Sequence, residues 1–540
     1  MLEQTAASRT PALNAVCRNH WNNHLDRHAF TMPHSDALRF EGKRTTWREL
    51  QRRVETLAGA LARRGVGFGD RVAILMGNRP EFIESILAIT RLGAIAVPLN
   101  FRLTGPETTY ALENSGAVAL LVDTFGKSAA REAIRDRSGP FSSVYVGSEA
   151  LPYAEAYEDL LSEENTQHAL VDVPETSPAL IMYTSGTTGQ PKGAVLTHAN
   201  LQMQALAVIR AWGLCTDREV NLVAAPMFHA GALGSIIPMI LTGGTQVIMP
   251  SGGFTSSHAL ELMATEGVTT AFLVPTHWQA LCDDPSVVDR DLSTLRVTSW
   301  GAAPATPTLL RRMAELFPRT ATVALFGQTE MSPITCVLEG KDAIRKLGSV
   351  GKPIPTVAVR VVDADMNDVV PGEVGEIVYR GPNLMAGYWQ NTEQTEEAFR
   401  GGWFHSGDLV RVDAEGFIFV VDRAKDMIIS GGENIYCAEV ENLLSAHPSI
   451  VDISVVGKSH PKWGETPVAV ATLTAGSTLA IEELRAWAGA SIARFKLPTE
   501  LVVTAVLPRN ASGKVDKGRI RKMLDGTDTS WTEETTYANS

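Results

Sequence analysis

Cysteine is scarce in this 540-residue chain, and its distribution excludes more than its number does. The five cysteines, Cys17, Cys215, Cys282, Cys336 and Cys437, are far apart, odd in number and never in C-x-x-C spacing. That argues against a disulfide scaffold and a structural zinc site, and suits a reducing cytoplasm. Long hydrophobic runs are missing too. The most apolar stretch, 230–241, is too short for a bilayer and contains Pro238, so a membrane-embedded protein is not expected. Residues 1–30 carry scattered charges and histidines without the apolar core of a signal peptide. Positive charge is in deficit: 48 Lys and Arg stand against 60 Asp and Glu, a net charge of −12, with no basic stripe. A nucleic-acid partner is therefore not expected, and acidic substrates must be held by local cations such as Lys192 and Lys514. No internal repeat or heptad run is evident.

What remains is an ordinary globular composition, 44% hydrophobic and 20% charged, in a chain too long for one core. Residues 46–64 have helical spacing (Leu50, Val54, Leu57, Leu61) and stop at Gly65. Val72–Leu75 reads as a buried strand, 81–92 as a helix and 94–97 as a strand. This βαβ rhythm predicts an α/β protein with helix-flanked parallel sheets. Residues 126–178 are polar and poorly periodic, and read as a surface segment. Past about 350 the style changes: alternation over 357–362, a turn-rich 363–372 and a strand at 376–379 predict a β-rich subdomain. A charged hinge at 422–425, centred on Lys425, precedes a small mobile α+β domain with a helix over 438–446, a strand over 453–456 and mostly helix over 481–497. The expected division is 1–421, hinge 422–425, lid 426–525 and a disordered Thr/Glu/Ser-rich tail 526–540.

Chemistry concentrates in Tyr183-Thr-Ser-Gly-Thr-Thr-Gly-Gln-Pro-Lys-Gly193. Glycines permit tight turns and close backbone approach. Thr184, Ser185, Thr187 and Thr188 supply hydroxyls, and Lys192 a positive charge. An apolar run, 179–182, precedes them, which places the loop at a strand's carboxyl end, where α/β folds bind ligands. Walker A spacing fails from Gly186, and Pro191 forbids the immediate helix that such a loop requires. A nucleotide-phosphate loop of another kind is the expected reading. Further candidates follow in order: Phe228-His229, Trp300-Gly-Ala-Ala-Pro304, Phe326-Gly-Gln-Thr-Glu330, His405-Ser-Gly-Asp408, Asp422-Arg423, Gly431-Gly432 and Pro508-Arg-Asn-Ala-Ser-Gly-Lys514. Taken singly, several have bland readings: a core histidine, a tight packing corner, a surface ion pair, a lysine in a turn. Asp363-Ala-Asp-Met-Asn-Asp368 is no calcium loop, because its sixth position is Asp368 instead of glycine and its twelfth is Val374 instead of glutamate.

Together, from Thr46-Trp-Arg-Glu-Leu50 to Lys514, these segments resemble the adenylate-forming superfamily of acyl-CoA synthetases, luciferase and peptide-synthetase adenylation domains. The resemblance implies a two-step ligase using ATP, Mg²⁺ and coenzyme A. A carboxylate first takes AMP with release of pyrophosphate, and the thiol of coenzyme A then displaces AMP. It implies that Thr184, Ser185, Gly186, Thr187, Thr188, Gly189 and Lys192 cradle phosphates. Gly301, Ala302, Ala303 and Pro304 lie against adenine, with Phe326, Gly327, Gln328 and Thr329 beside them. Glu330, with Thr184, is the expected magnesium ligand, and Asp408 and Arg423 hold the ribose. Lys514 is the expected catalytic lysine of the first step. Lys192, Glu330 and His229 are the other expected catalytic residues.

The acyl group is expected near His229, Ala230, Gly231, Gly234 and Thr276, where the small apolar residues after His229 leave room for a bulky or long tail, with Trp278 as a further wall, and the pantetheine near Gly431 and Gly432. The resemblance is strongest to actinobacterial fatty-acid–CoA ligases, so a medium- or long-chain fatty acid is expected. An aromatic acid of the coumarate or ferulate type is the alternative, and carrier-protein loading is another. Loose membrane contact and a homodimer stay open. Cys437 is read as a buried, inert thiol.

Overall fold

The computed structural model describes residues 11–528 except 136, 138–140, 164–170, 185–189, 215–217, 304, 432, 490 and 511–513, together with 536–537. Its contacts fall into two units, Met1–Ala358 with Arg380–Trp403, and Val359–Tyr379 with Phe404–Ser540.

The first unit is built on two largely parallel sheets. In one, the strands Ile95–Pro98, Arg71–Leu75, Ala119–Asp123 and Ser142–Val146 run parallel, and Ile95–Pro98 also pairs with Pro178–Thr184. In the other, Thr245–Ile248, Val220–Val223, Thr270–Leu273, Val297–Gly301 and Ala321–Phe326 are parallel neighbours. Their near-continuous apolar sequences follow from burial on both faces. Local signals agree with the sheets. The helix Trp47–Arg63 starts where Thr46 Oγ1 accepts from Glu49 N at 3.2 Å. It buries Leu50, Val54, Leu57 and Leu61 and stops before Gly65, whose φ of 87° suits only glycine.

The segment 126–178 is more than a surface excursion. It contributes the helix Lys127–Arg135 and the strand Ser142–Val146, which extends the parallel sheet. Two serines interrupt that strand's apolar run, which hid it. Tyr157 is buried and donates from its hydroxyl to Glu84 Oε2 at 2.7 Å, while Arg53 Nε donates to Glu84 Oε1 at 2.7 Å. Burial pushes the Glu84 carboxyl up, against the pull of Arg53. These bonds satisfy a carboxyl that would otherwise be costly inside a helix bundle.

His20 and His198 are also buried, their rings stacked 4.0 Å apart with Trp21 edge-on to His198. Burial holds His20 down at about 4 and pushes His198 well below the usual imidazole range. Both depress the folded-state value below that of the unfolded chain, so the unfolded chain binds more protons as pH falls. The stability these rings contribute is full above about pH 6.5 and is lost toward pH 4. For His20 the drop from 6.5 to about 4 corresponds to roughly 3 kcal/mol at about 1.4 kcal/mol per pH unit. Melting temperatures at pH 7.5 and 4.5 should therefore converge in a His20→Phe/His198→Phe double variant relative to wild type; an undiminished gap would show that other groups carry the acid sensitivity.

In the second unit, Ala358–Val362, Val374–Arg380, Phe404–Val412 and Ile418–Arg423 form a four-stranded sheet. The C-terminal sheet centres on the hairpin Ile450–His460 and Gly464–Leu473, with Glu500–Val503 parallel to the latter. Helices Cys437–Leu444 and Ile481–Ala488 bury Val440, Leu444, Leu484 and Ala488 against one face. The helix expected over 481–497 ends at Ala488, followed by Gly489 and a short 3-10 turn, Arg494–Lys496. The tail expected to be disordered falls largely outside the described residues; within it, Thr536–Tyr537 pairs with Val502–Val503. No helix among the described residues is long and apolar enough to cross a membrane.

Candidate active site

Strand ends in the first unit carry the candidate residues. Pro178–Thr184 turns back into Lys192–Thr197 as an antiparallel hairpin with Thr184 opposite Lys192. After Pro191 the chain continues as a strand, not a helix. Ser185, Gly186, Thr187, Thr188 and Gly189 lie outside the described residues.

In the other sheet, Val297–Gly301 and Ala321–Phe326 end side by side with Gly301 opposite Leu325. A Cβ on Gly301 would sit 2.3 Å from Leu325 O, and one on Gly327 would sit 2.1 Å from Pro333 O. Both turns therefore require glycine for space. Ala302 has a left-handed φ of 65° and is exposed with Ala303; Pro304 lies outside the described residues. Phe326, Gln328 and Thr329 are half-buried. Beyond them the 3-10 turn Thr329–Met331 buries Glu330.

Three side chains gather at that carboxylate or beside it. Thr184 Oγ1 lies 3.4 Å from Glu330 Oε1, and the Tyr388 hydroxyl donates to the same oxygen at 3.0 Å. Lys192 Nζ sits 5.1 Å from the centre of the Tyr388 ring. The sequence reading missed Tyr388. Only an aromatic after Gly387 marks it, and its place depends on pairing with a strand almost two hundred residues earlier, Tyr388 opposite Ala194. Burial, then the Glu330 charge, push its phenol well up, so it stays a donor. Among the described residues no three His, Cys, Asp or Glu side chains converge as a metal cage. One carboxylate with neighbouring hydroxyls is a hard, incomplete oxygen set, which fits Mg²⁺ completed by phosphate oxygens and water.

His229 is half-buried at the N-terminus of the helix Ala230–Thr242, its ring 4.4 Å from that of Phe228. Asn78 fixes this entry: its Nδ2 donates to Ala225 O at 3.0 Å, and its Oδ1 accepts from Met227 N at 2.9 Å. The small residues of the helix serve close packing. A Cβ on Gly231 would meet Phe272 at 3.3 Å, and one on Gly234 would meet Pro333 at 3.2 Å. The helix after His229 thus rests on the loop that carries Glu330. Thr276 is exposed. Trp278 is a core residue whose Nε1 donates to Ser299 O at 2.9 Å.

The second unit holds the other candidates. Asp408 is buried in Phe404–Val412 opposite Arg423, whose Nε lies 2.5 Å from its Oδ1. Glu376 braces the approach, accepting from Gly407 N at 2.9 Å and bonding His405 Nδ1 at 2.8 Å. Lys425 is exposed. Next to it, Asp426 pairs with Arg521 at 3.0 Å, and the Cys437 thiol donates to Asp426 O at 2.9 Å. Burial pushes Cys437 up to about 12, which leaves a protonated thiol unfit as a nucleophile. Gly431 has a φ of 61°, and its N donates to Trp463 O at 2.8 Å; Gly432 lies outside the described residues. Lys514 is exposed, and its backbone N donates to Asn510 Oδ1 at 3.1 Å.

The family described as AMP-binding enzyme matches residues 25–389, and its C-terminal domain matches 439–514. The chain belongs to the AMP-binding enzymes. It is an AMP-forming acid–thiol ligase. It is 41% identical to a feruloyl-CoA synthase from Amycolatopsis over 92% of this chain and 97% of that one. It is 37% identical to an indoleacetate–CoA ligase from Aromatoleum aromaticum, over 93% and 97%. Among solved structures, o-succinylbenzoate CoA synthetase from Bacillus subtilis in complex with its acyl-adenylate intermediate superposes with a TM-score of 0.83, at 31% identity, over 92% of this chain and 98% of that one.

Proposed function

We propose that this ligase activates an aromatic carboxylic acid, with ATP, Mg²⁺ and coenzyme A as its partners. The relatives at 41% and 37% identity act, by name, on feruloyl and indoleacetate groups, both aromatic. The fatty acid expected from sequence has weaker support: a fatty acyl CoA synthetase from Mycobacterium tuberculosis superposes with a TM-score of 0.75 at 29% identity, over 96% of this chain and 100% of that one. Gly231 and Gly234, expected to leave room for a long tail, instead admit Phe272 and Pro333 to close contact.

The observation that carries the ligase chemistry is the meeting of Thr184, Lys192 and Glu330 at neighbouring strand ends. Lys192 and the phosphate loop hold the β- and γ-phosphates. Glu330, with Thr184, holds Mg²⁺, whose charge would neutralise phosphate oxygens as pyrophosphate leaves. Gly301 to Ala303 and Phe326 to Thr329 form two adjacent turns on which adenine lies, and Asp408 with Arg423 holds the ribose hydroxyls. His229 borders the carboxylate. A division into 1–421, a hinge at 422–425 about Lys425 and a lid 426–525 delivers Lys514 for adenylation and the Gly431-Gly432 turn for thioester formation.

The test is acid-dependent AMP release with and without coenzyme A. Hydroxycinnamates and arylacetates should exceed fatty acids in kcat/KM by about tenfold or more, a difference of about 1.4 kcal/mol in transition-state binding. Equal or better turnover of octanoate or palmitate would overturn the aromatic reading. Product formation with free coenzyme A separates a CoA ligase from a carrier-loading enzyme.

A further inference from the structure

Glu330 stands in the middle of a three-residue 3-10 turn, and the terminal torsion of a glutamate is broad and nearly two-fold. A carboxylate that must meet a cation requiring near-octahedral geometry needs something to hold its plane. Thr184 does so weakly: its hydroxyl is 3.4 Å from Glu330 Oε1 and 3.5 Å from Lys192 O, both at the long limit. The Tyr388 hydroxyl is different. It reaches Glu330 Oε1 at 3.0 Å, its own backbone N is tied to Thr395 Oγ1 at 2.9 Å, and its strand is paired to Lys192–Thr197.

We infer that Tyr388 is a positioning residue that orients the Glu330 carboxylate for the cation with its hydroxyl and seats the Lys192 ammonium with its ring. This rests on the metal role proposed for Glu330. One side chain thereby couples the two charges that ATP·Mg²⁺ must meet, through a hydrogen bond at one end and a cation–π contact of about 0.5–2 kcal/mol at the other. A phenol donates to the carboxylate without adding a competing charge.

The test measures binding without turnover. A non-hydrolysable ATP analogue is titrated by calorimetry at graded Mg²⁺ concentrations, with no carboxylic acid present. Tyr388→Phe keeps the ring and loses the hydroxyl. It should raise the Mg²⁺ concentration for half-maximal binding by about 10–100-fold, the usual cost of removing a group that orients a metal ligand, while analogue affinity at saturating Mg²⁺ stays unchanged. Tyr388→Leu should weaken binding at saturating Mg²⁺ as well, because Lys192 loses its seat. A merely structural role would lower affinity equally at every Mg²⁺ concentration and depress the melting temperature. A wild-type Mg²⁺ curve in Tyr388→Phe, with Glu330→Gln shifted, overturns the inference alone. No shift in Glu330→Gln removes the metal role, and the role of Tyr388 with it.

Discussion

Lys514→Ala is expected to cut acyl-adenylate formation by about 10²- to 10³-fold, the usual effect of removing one preorganised charge from a developing transition state. The same variant should convert a supplied acyl-adenylate to thioester at close to the wild-type rate. The asymmetry follows from chemistry. Adenylation brings an anionic carboxylate onto the α-phosphate and gathers negative charge on its oxygens and on the departing pyrophosphate, whereas the thiol displaces AMP from an anhydride already made. Lys514 is exposed, and its backbone N and O are both bonded to Asn510, so truncating the side chain leaves those contacts in place. Single-turnover measurements of pyrophosphate release and of thioester formation read the two steps apart. Equal loss in both would remove the division of labour.

Gly327→Ala should be nearly as damaging to adenylation, for a wholly different reason. The added Cβ would lie 2.1 Å from Pro333 O and 2.9 Å from Thr335 N, both backbone atoms that cannot swing aside. The strand end must shift, and it carries Glu330 three residues on. A displacement near 1 Å at a reacting centre can cost about 10²-fold, and overpacking of this kind destabilises by about 1–3 kcal/mol. The expected result is a folded protein with a lowered melting temperature, adenylation near or below about 1% of wild type and a raised Mg²⁺ concentration for half-maximal ATP binding. Wild-type adenylation would mean that the turn relaxes without disturbing the carboxylate.

Much of this architecture was legible in the chain itself. The βαβ rhythm of residues 46–97 predicted parallel sheets because strands buried on both faces leave continuous apolar runs. The hydroxyl- and glycine-rich run ending at Lys192, and Phe326 to Glu330, stood out because phosphate and metal chemistry needs those residue types at close spacing. Residues whose role depends on a distant partner were not legible. Ser142–Val146 joins a sheet although its serines break the apolar pattern, and Trp278 looked like a pocket wall until its indole was found bonded to Ser299 O in the core. Gly231 and Gly234 read as open space, yet their missing side chains admit Phe272 and Pro333. Val359–Tyr379, which sequence order attached to the larger part, groups by contact with Phe404–Ser540.

The chain alone pointed to adenylate-forming chemistry, since Lys192, Glu330, Asp408 and Lys514 occur in the order that the resemblance requires, an order that carrier-protein loading would share. Only the tertiary structure decided which groups lie against Glu330 and which side chains pack on Gly231 and Gly234. The reason is physical: a local run records the backbone's own preferences, whereas the orientation of a carboxylate is set by a phenol that strand pairing brings in from 58 residues away.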